Sequence, residues 1–257
     1  MKDVHRLLMG CAVLGDPEHW FRPDGYPAGL AMCIIDSIQS TGSHYNSVRN
    51  VIGRYRSHRG DAAATDGTAE LLATFDACGG VDGWANEIGN QKPASTRKGA
   101  ALKAAVIQQV ARNLHNDGVR TADDFRVRGD LDAGNDARRR ATKKLWTSVE
   151  AQSSGITWNY ALMLAGLPGV KADRMVLRFV SRALDGADVS PEAAASLVGE
   201  AAQLMGVFAT HLDHAIWRYE SGRPVSIDPD DEQQPVLEEA DDADDADPET
   251  DSASDTR

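Results

Sequence analysis

Apolar residues recur at helical spacing along most of this chain. Between Ala28 and about Tyr55 they fall at Leu30, Cys33 and Ile34, then at Val48, Val51, Ile52 and Tyr55. The intervening SIQSTGSHYNS predicts a helix-to-helix turn at Gly42. Residues 1–25 supply one amphipathic segment followed by the turn RPDGYP. After the loop GDAAATDGT, Thr68 to Asp76 reads as a short helix and GGVDGWANEIGN as a turn. Residues 97–117 read as an amphipathic helix with lysine on its leading turn. Residues 129–144 are polar and strongly basic. Further helical segments run from Val149 to Leu164, with a glycine turn at Ser153-Ser154-Gly155, from Ala172 to Leu184, and from His211 to Tyr219. A capped start stands at Ser190-Pro191-Glu192. No alternating strand pattern and no internal repeat is visible. The expectation is an all-α domain over residues 1–226 with short connections.

Composition adds an asymmetry. The net charge is −12, yet 14 of the 39 acidic residues lie in residues 227–257 against a single arginine. The remainder is nearly neutral, so global charge does not exclude a polyanionic partner. The acidic segment has few apolar residues and reads as a disordered tail. Hydrophobic residues make up 42% of the chain, enough for a sizeable core. Cys11, Cys33 and Cys78 are too few and too scattered for a disulfide framework or a four-cysteine metal site. No apolar run reaches membrane-spanning length and no signal-peptide pattern opens the chain, so a cytoplasmic protein is expected, nucleoid-associated if bacterial.

Three features carry candidate chemistry. The turn before Ile156-Thr157-Trp158 would leave backbone N–H groups at a helix N-terminus, where anions bind. Asp173 opens an apolar helix, a position where Asp ordinarily caps. Asp36 lies within the apolar run AMCIIDSIQS, where a charge is costly without a partner. It would either be held as structure or face a pocket.

Together these residues resemble the helix-hairpin-helix DNA glycosylases of the endonuclease III type. Ser153-Ser154-Gly155 matches the hairpin before a helix, and Asp173 with Arg178 matches the catalytic Asp and the Arg five residues on. Ser37-Ile38-Gln39-Ser40-Thr41 is similar to the family's Ser-x-Gln-x-Thr segment, and LDHAIWRYESGR to its closing segment. The resemblance spans about residues 25–223. It implies an N-glycosylase for double-stranded DNA carrying a damaged or modified base, acting as a monomer without cofactor or metal.

The resemblance assigns roles. Asp173 is the catalytic carboxylate, supported structurally by Arg178. Gln39 would enter the gap left by an extruded nucleotide. Thr41, Lys103, Ser153, Gly155, Ile156 and Thr157 would contact DNA. Arg138, Arg139, Arg140, Lys143 and Lys144 would add nonspecific phosphate attraction. Asp36, His44, Tyr45, Trp158 and Tyr160 are candidate pocket walls. The family's nucleophilic lysine matches Thr157 or Trp158, neither of which forms a Schiff base, so a glycosylase without lyase activity is expected. The cysteines of the iron–sulfur cluster found in some members are missing.

A second alignment sets Leu167-Pro168-Gly169-Val170-Lys171 on the hairpin and supplies a lysine, with Asp185 or Asp188 as the acid. It is disfavoured because Lys171 would replace a glycine and the Asp-to-Arg spacing is lost. A DNA-binding protein that keeps the fold without catalysis is the alternative function.

Overall fold

The computed structural model describes residues 2–130, 134 and 136–226. The expected tail, residues 227–257, lies outside them. Among the described residues the chain forms α-helices and short 3₁₀ turns, with no strand and only two isolated bridges, Trp20 with Ser226 and Pro93 with Leu102. The all-α expectation holds. No single described helix is long and apolar enough to cross a membrane.

Two hydrophobic cores divide the helices. The larger is built around α2 (Leu30–Gln39), whose ten residues are all buried, the polar Asp36, Ser37 and Gln39 included. A helix apolar on nearly every side belongs in the middle of a core. Around it stand α3 (Tyr45–Arg59), α4 (Thr68–Ala77), α5 (Val81–Glu87), α6 (Lys103–Asn116), α7 (Ala122–Gly129), α8 (Asp136–Thr147) and α9 (Ile156–Leu164). The second core joins the N-terminal α1 (Lys2–Cys11) to α10 (Arg174–Ala183), α11 (Pro191–Met205) and α12 (Ala209–Glu220). Val4, Leu7 and Cys11 of α1 meet Val176, Val180, Val198 and Ala202 there. The start of the chain therefore completes the lobe formed by its end.

Several segment expectations need correction. GGVDGWANEIGN is not merely a turn, because Val81–Glu87 forms α5. Trp84 lies fully buried there, stacked on Phe75 with ring centroids 4.6 Å apart, and donates its indole N–H to Thr74 at 3.0 Å. The helix expected over 97–117 begins only at Lys103, because the chain before it pairs back, Leu102 bridging Pro93. The basic segment folds into α8, anchored by Trp146. α7, opened by a Thr121–Asp124 capping box, had not been expected.

Residues 20–29 and 165–173 cross between the lobes. Gly25 makes the first crossing possible. Its φ is +58°, and a Cβ there would stand 2.6 Å from the Leu164 carbonyl. The next residue, Tyr26, donates its backbone N–H to that same carbonyl at 2.6 Å.

Candidate active site at the junction of the lobes

The turn from α9 to α10 places two charged side chains where the lobes meet. Asp173 is the N-cap of α10. Its Oδ1 accepts from the backbone N–H groups of Met175 at 2.9 Å and Val176 at 3.3 Å. Half of this carboxylate thus serves the helix. The other oxygen, Oδ2, is 3.9 Å from Lys171 Nζ. That ammonium donates to Ser40 Oγ at 3.2 Å and sits 3.9 Å above the ring centre of Tyr160. The turn is held from the far side by α12. Asp213 Oδ1 accepts the Lys171 backbone N–H at 2.8 Å, and Thr210 Oγ1 accepts that of Gly169 at 3.1 Å.

Beneath this pair lies Asp36, from the middle of α2. Oδ2 accepts a 2.7 Å hydrogen bond from the Tyr26 hydroxyl, and the Tyr160 hydroxyl also hydrogen-bonds this buried carboxyl. Asp36 itself is 3% exposed, whereas Tyr26 and Tyr160 are half-buried and the Lys171 side chain keeps 15% exposure. The result is a buried carboxyl packed under a lysine that keeps little contact with solvent. Across the junction the Tyr45 ring meets Trp217 edge-on at 5.5 Å, His214 stacks on Trp217 at 5.7 Å, and the Arg223 guanidinium lies 5.1 Å from the Trp217 ring centre.

The electrostatics follow from burial. Desolvation lowers the Lys171 ammonium, although Asp173, Asp36 and Asp213 favour its charge. Desolvation pushes the Asp213 carboxyl up to about 8, against the Lys171 N–H bond. The Asp36 carboxyl is likewise raised by burial, while Tyr26, Lys171 and Tyr160 pull it down. The Tyr26 and Tyr160 phenols are raised by burial and by Asp36. His214 is lowered to about 4, by burial first and then by Arg218, His211 and Arg223.

The other expected site residues are distributed differently. Arg178 does not support Asp173. Five residues along a helix turn the side chain well away from the N-cap, and Arg178 Nη1 instead faces Glu220 at 4.0 Å. Gln39 lies at the end of α2, 1% exposed, its Oε1 accepting from Asn90 at 2.9 Å. Lys103 does not open a surface helix. It is buried and donates to the Gln39 and Thr41 carbonyls and to Ser43 Oγ at 2.8 Å, closing the end of α2. Thr41 Oγ1 bonds back to Ile38 at 2.9 Å.

The glycine turn before α9 also differs. Gly155 takes the left-handed conformation at φ 72°, but its N–H donates to Gln152 at 3.1 Å, and that of Ile156 faces Ser154 Oγ at 3.4 Å. These groups are not the free donors expected of an anion site. Thr157 points inward, accepting from Trp146 Nε1 at 2.9 Å and bonding to Gln152. Trp158 is packed against Phe125 and Trp146 in the larger core and walls no pocket. Ser153 and His44 are exposed. Lys143 does cover Gly155: its Cε lies 3.1 Å from where a Cβ would stand. Arg97 is 3.8 Å from Glu150 in the preceding loop, and Arg139 bonds to the Gly129 carbonyl at 3.0 Å. Of the acids in the second alignment, Asp185 is exposed and paired with Arg6 at 3.3 Å, and Asp188 is exposed as well.

Sequence reasoning gave little weight to Lys171, Tyr26, Tyr160 and Asp213. Lys171 had been noticed as a lysine in a Pro-Gly turn and Tyr160 as a candidate pocket wall. Nothing local marks Tyr26 or Asp213. Among the described residues no group of three or more His, Cys, Asp or Glu side chains is arranged to hold a metal ion.

Among the described residues the protein is two-lobed and all-α, with a carboxylate–lysine pair at the lobe junction. The chain belongs to the family described as Domain of unknown function (DUF8548), whose model matches residues 5–221 and so takes in both lobes. No curated protein and no solved structure matches it.

Proposed function

We propose that this chain is a DNA N-glycosylase of helix-hairpin-helix type, hydrolysing the base–sugar bond of a nucleotide turned out of double-stranded DNA. The observation that carries the reading is the placement of Asp173 at the lobe junction, with one oxygen capping α10 and the other left toward Lys171. A carboxylate fixed by its helix cannot reorient as positive charge grows on the sugar, and so stabilises that charge with little reorganisation. The water that attacks the sugar carbon would be oriented by Asp173 Oδ2 and lose its proton there, while the base departs with the bonding electron pair. Lys171 is read as an ammonium rather than a nucleophile, since it lies over the Tyr160 ring and donates to Ser40. Hydrolysis without strand cleavage follows. Lys143 beside Gly155 would supply a phosphate contact from the larger lobe.

The test is strand cleavage on labelled duplexes carrying a panel of damaged bases, with and without hot alkali. Wild type should give breaks that require alkali. Asp173→Asn should reduce their rate at least about 10²-fold. Breaks without alkali, lost in Lys171→Met, would replace hydrolysis by an amine nucleophile. Gel-shifted DNA with no breaks on any duplex would leave a DNA-binding protein without catalysis.

A further inference from the structure

The charged surface beside the lobe junction is one-sided. α3 carries four arginines and no acidic residue. The fold uses two of them: Arg59 pairs with Asp66 at 2.7 Å, and Arg54 donates to the Ile88 and Gly89 carbonyls. Arg49 and Arg56 are exposed and share a helix face with Gly53, where an added Cβ would meet no atom within 4 Å. The second lobe adds to this charge. Arg223 lies 5.4 Å from the Tyr45 ring centre, and Arg49, Arg223 and Arg218 all act on the Tyr45 hydroxyl as nearby positive charges.

The described chain ends at the same place. Arg218 donates to the Pro224 carbonyl and covers the Phe21 ring at 3.9 Å. Phe21 donates its N–H to the Val225 carbonyl at 3.0 Å, and Ser226 bridges Trp20. Residues 227–257, with 14 acidic residues and one arginine, therefore start at the edge of the arginine cluster. A chain extends by at most about 3.5 Å per residue, so Asp228, Asp230, Asp231 and Glu232 are held within about 20 Å of Ser226.

We propose that residues 227–257 dock on this arginine face of their own chain, their carboxylates pairing with Arg49, Arg56 and Arg223. One surface ion pair contributes little, but guanidinium and carboxylate match as a two-bond fork, and several such pairs act together. The covalent link raises the effective concentration to roughly the millimolar range, so a contact too weak to form between separate molecules persists within one. The face lies beside the junction that holds Lys171 and Asp173. The docked segment shields that junction, and a polyanion must displace it to approach. The contact does not depend on the glycosylase reading, which adds only the identity of the displacing polyanion.

The test needs no DNA. Of the five tryptophans only Trp217 is not buried, and it stands at this face. A bimane fluorophore, quenched by contact with tryptophan, is attached to full-length Ala240→Cys; Cys11, Cys33 and Cys78 are buried. At low salt, Trp217→Phe and the double reversal Arg49→Glu with Arg223→Glu should each raise emission about twofold, the first by removing the quencher and the second by releasing the segment. The reversal Arg138→Glu with Arg140→Glu on α8 changes the net charge equally and should leave emission as in wild type. Arg223 touches Trp217, so a second release variant leaves every described residue intact: Glu238→Gln, Glu239→Gln, Asp241→Asn and Asp242→Asn together. It should raise emission as the arginine reversal does, and so should high salt in wild type. Emission unmoved by either release variant, or moved as much by the α8 reversal, would overturn the proposal. So would quenching that survives high salt, or that grows with protein concentration and so places the segment on a second copy. Docking seen without strand breaks on any duplex would sink excision alone, and alkali-dependent breaks without docking would sink this contact alone.

Discussion

At the scale of single residues, the lobe junction holds ionisable groups at a cost in stability. Asp36, Lys171 and Asp213 are ionisable groups held away from water, and two of them are carboxyls that burial makes reluctant to ionise. Asp213 gives the clearest consequence. Its carboxyl moves from 3.8 to about 8 on folding, so between those values the folded chain keeps a proton that the unfolded chain has released. Stability should therefore be fully retained below about pH 4 and lost as pH rises toward 8. Lys171 and Asp173 are the charged groups that face it. Asp213→Asn keeps an oxygen to accept the Lys171 N–H but cannot ionise. The stability difference between variant and wild type, measured by urea unfolding, should grow steadily in the variant's favour from pH 4 to pH 8. A constant difference would show that Asp213 titrates normally. Asp173 was legible in the sequence because capping is local, decided within three residues of the cap. Asp213 was not, since its partner lies 42 residues away.

At the scale of elements, the end of α2 is the joint on which the site turns. The Gln39 and Thr41 carbonyls at that end are taken by Lys103 from α6, while Ser40 between them is bonded to Lys171 from the crossing segment 165–173. Burial lowers the Lys103 ammonium to about 8, with Lys92 adding to the effect. Lys103→Met would leave the Gln39 and Thr41 carbonyls without their donor. The expected cost is about 1–3 kcal/mol of unfolding free energy. Hydrogen exchange should quicken over residues 40–45 before it does elsewhere. Unchanged exchange there would mean that water replaces the ammonium without cost. Leading-turn lysines usually read as solvent-facing, which is how Lys103 misled. Residues 97–102 pair back on Pro93 instead of extending the helix, and that shift of its start turns the lysine inward.

At the scale of the whole molecule, Tyr45 of the larger lobe meets Trp217 of the second lobe, with Arg223 beside the Trp217 ring. Charge is partitioned on the same scale. Residues 227–257 hold 14 of the acidic residues and leave the remainder nearly neutral. If the chain binds DNA as proposed, residues 1–226 should bind a nonspecific duplex more tightly than the full chain at low salt. The gap should close as ionic strength rises, because repulsion between tail and duplex is screened. A gap that persists at high salt would point to a contact other than simple repulsion. Equal binding at low salt would show that the tail stays out of the duplex's field.

The sequence by itself determined the helical class, the partition of charge, the capped starts at Asp173 and Ser190, and the burial of the run around α2. Each depends on spacing or capping within a few residues, or on composition. Tertiary structure alone decided that α1 completes the lobe of α10–α12, that Arg178 turns away from Asp173, and that Lys171 stands between Asp173 and Ser40. It also decided that Asp36 lies among Tyr26, Tyr160 and Lys171. α2 is apolar on nearly all sides, so its periodicity singles out no face, and only the packing of its neighbours determines where its one carboxylate points.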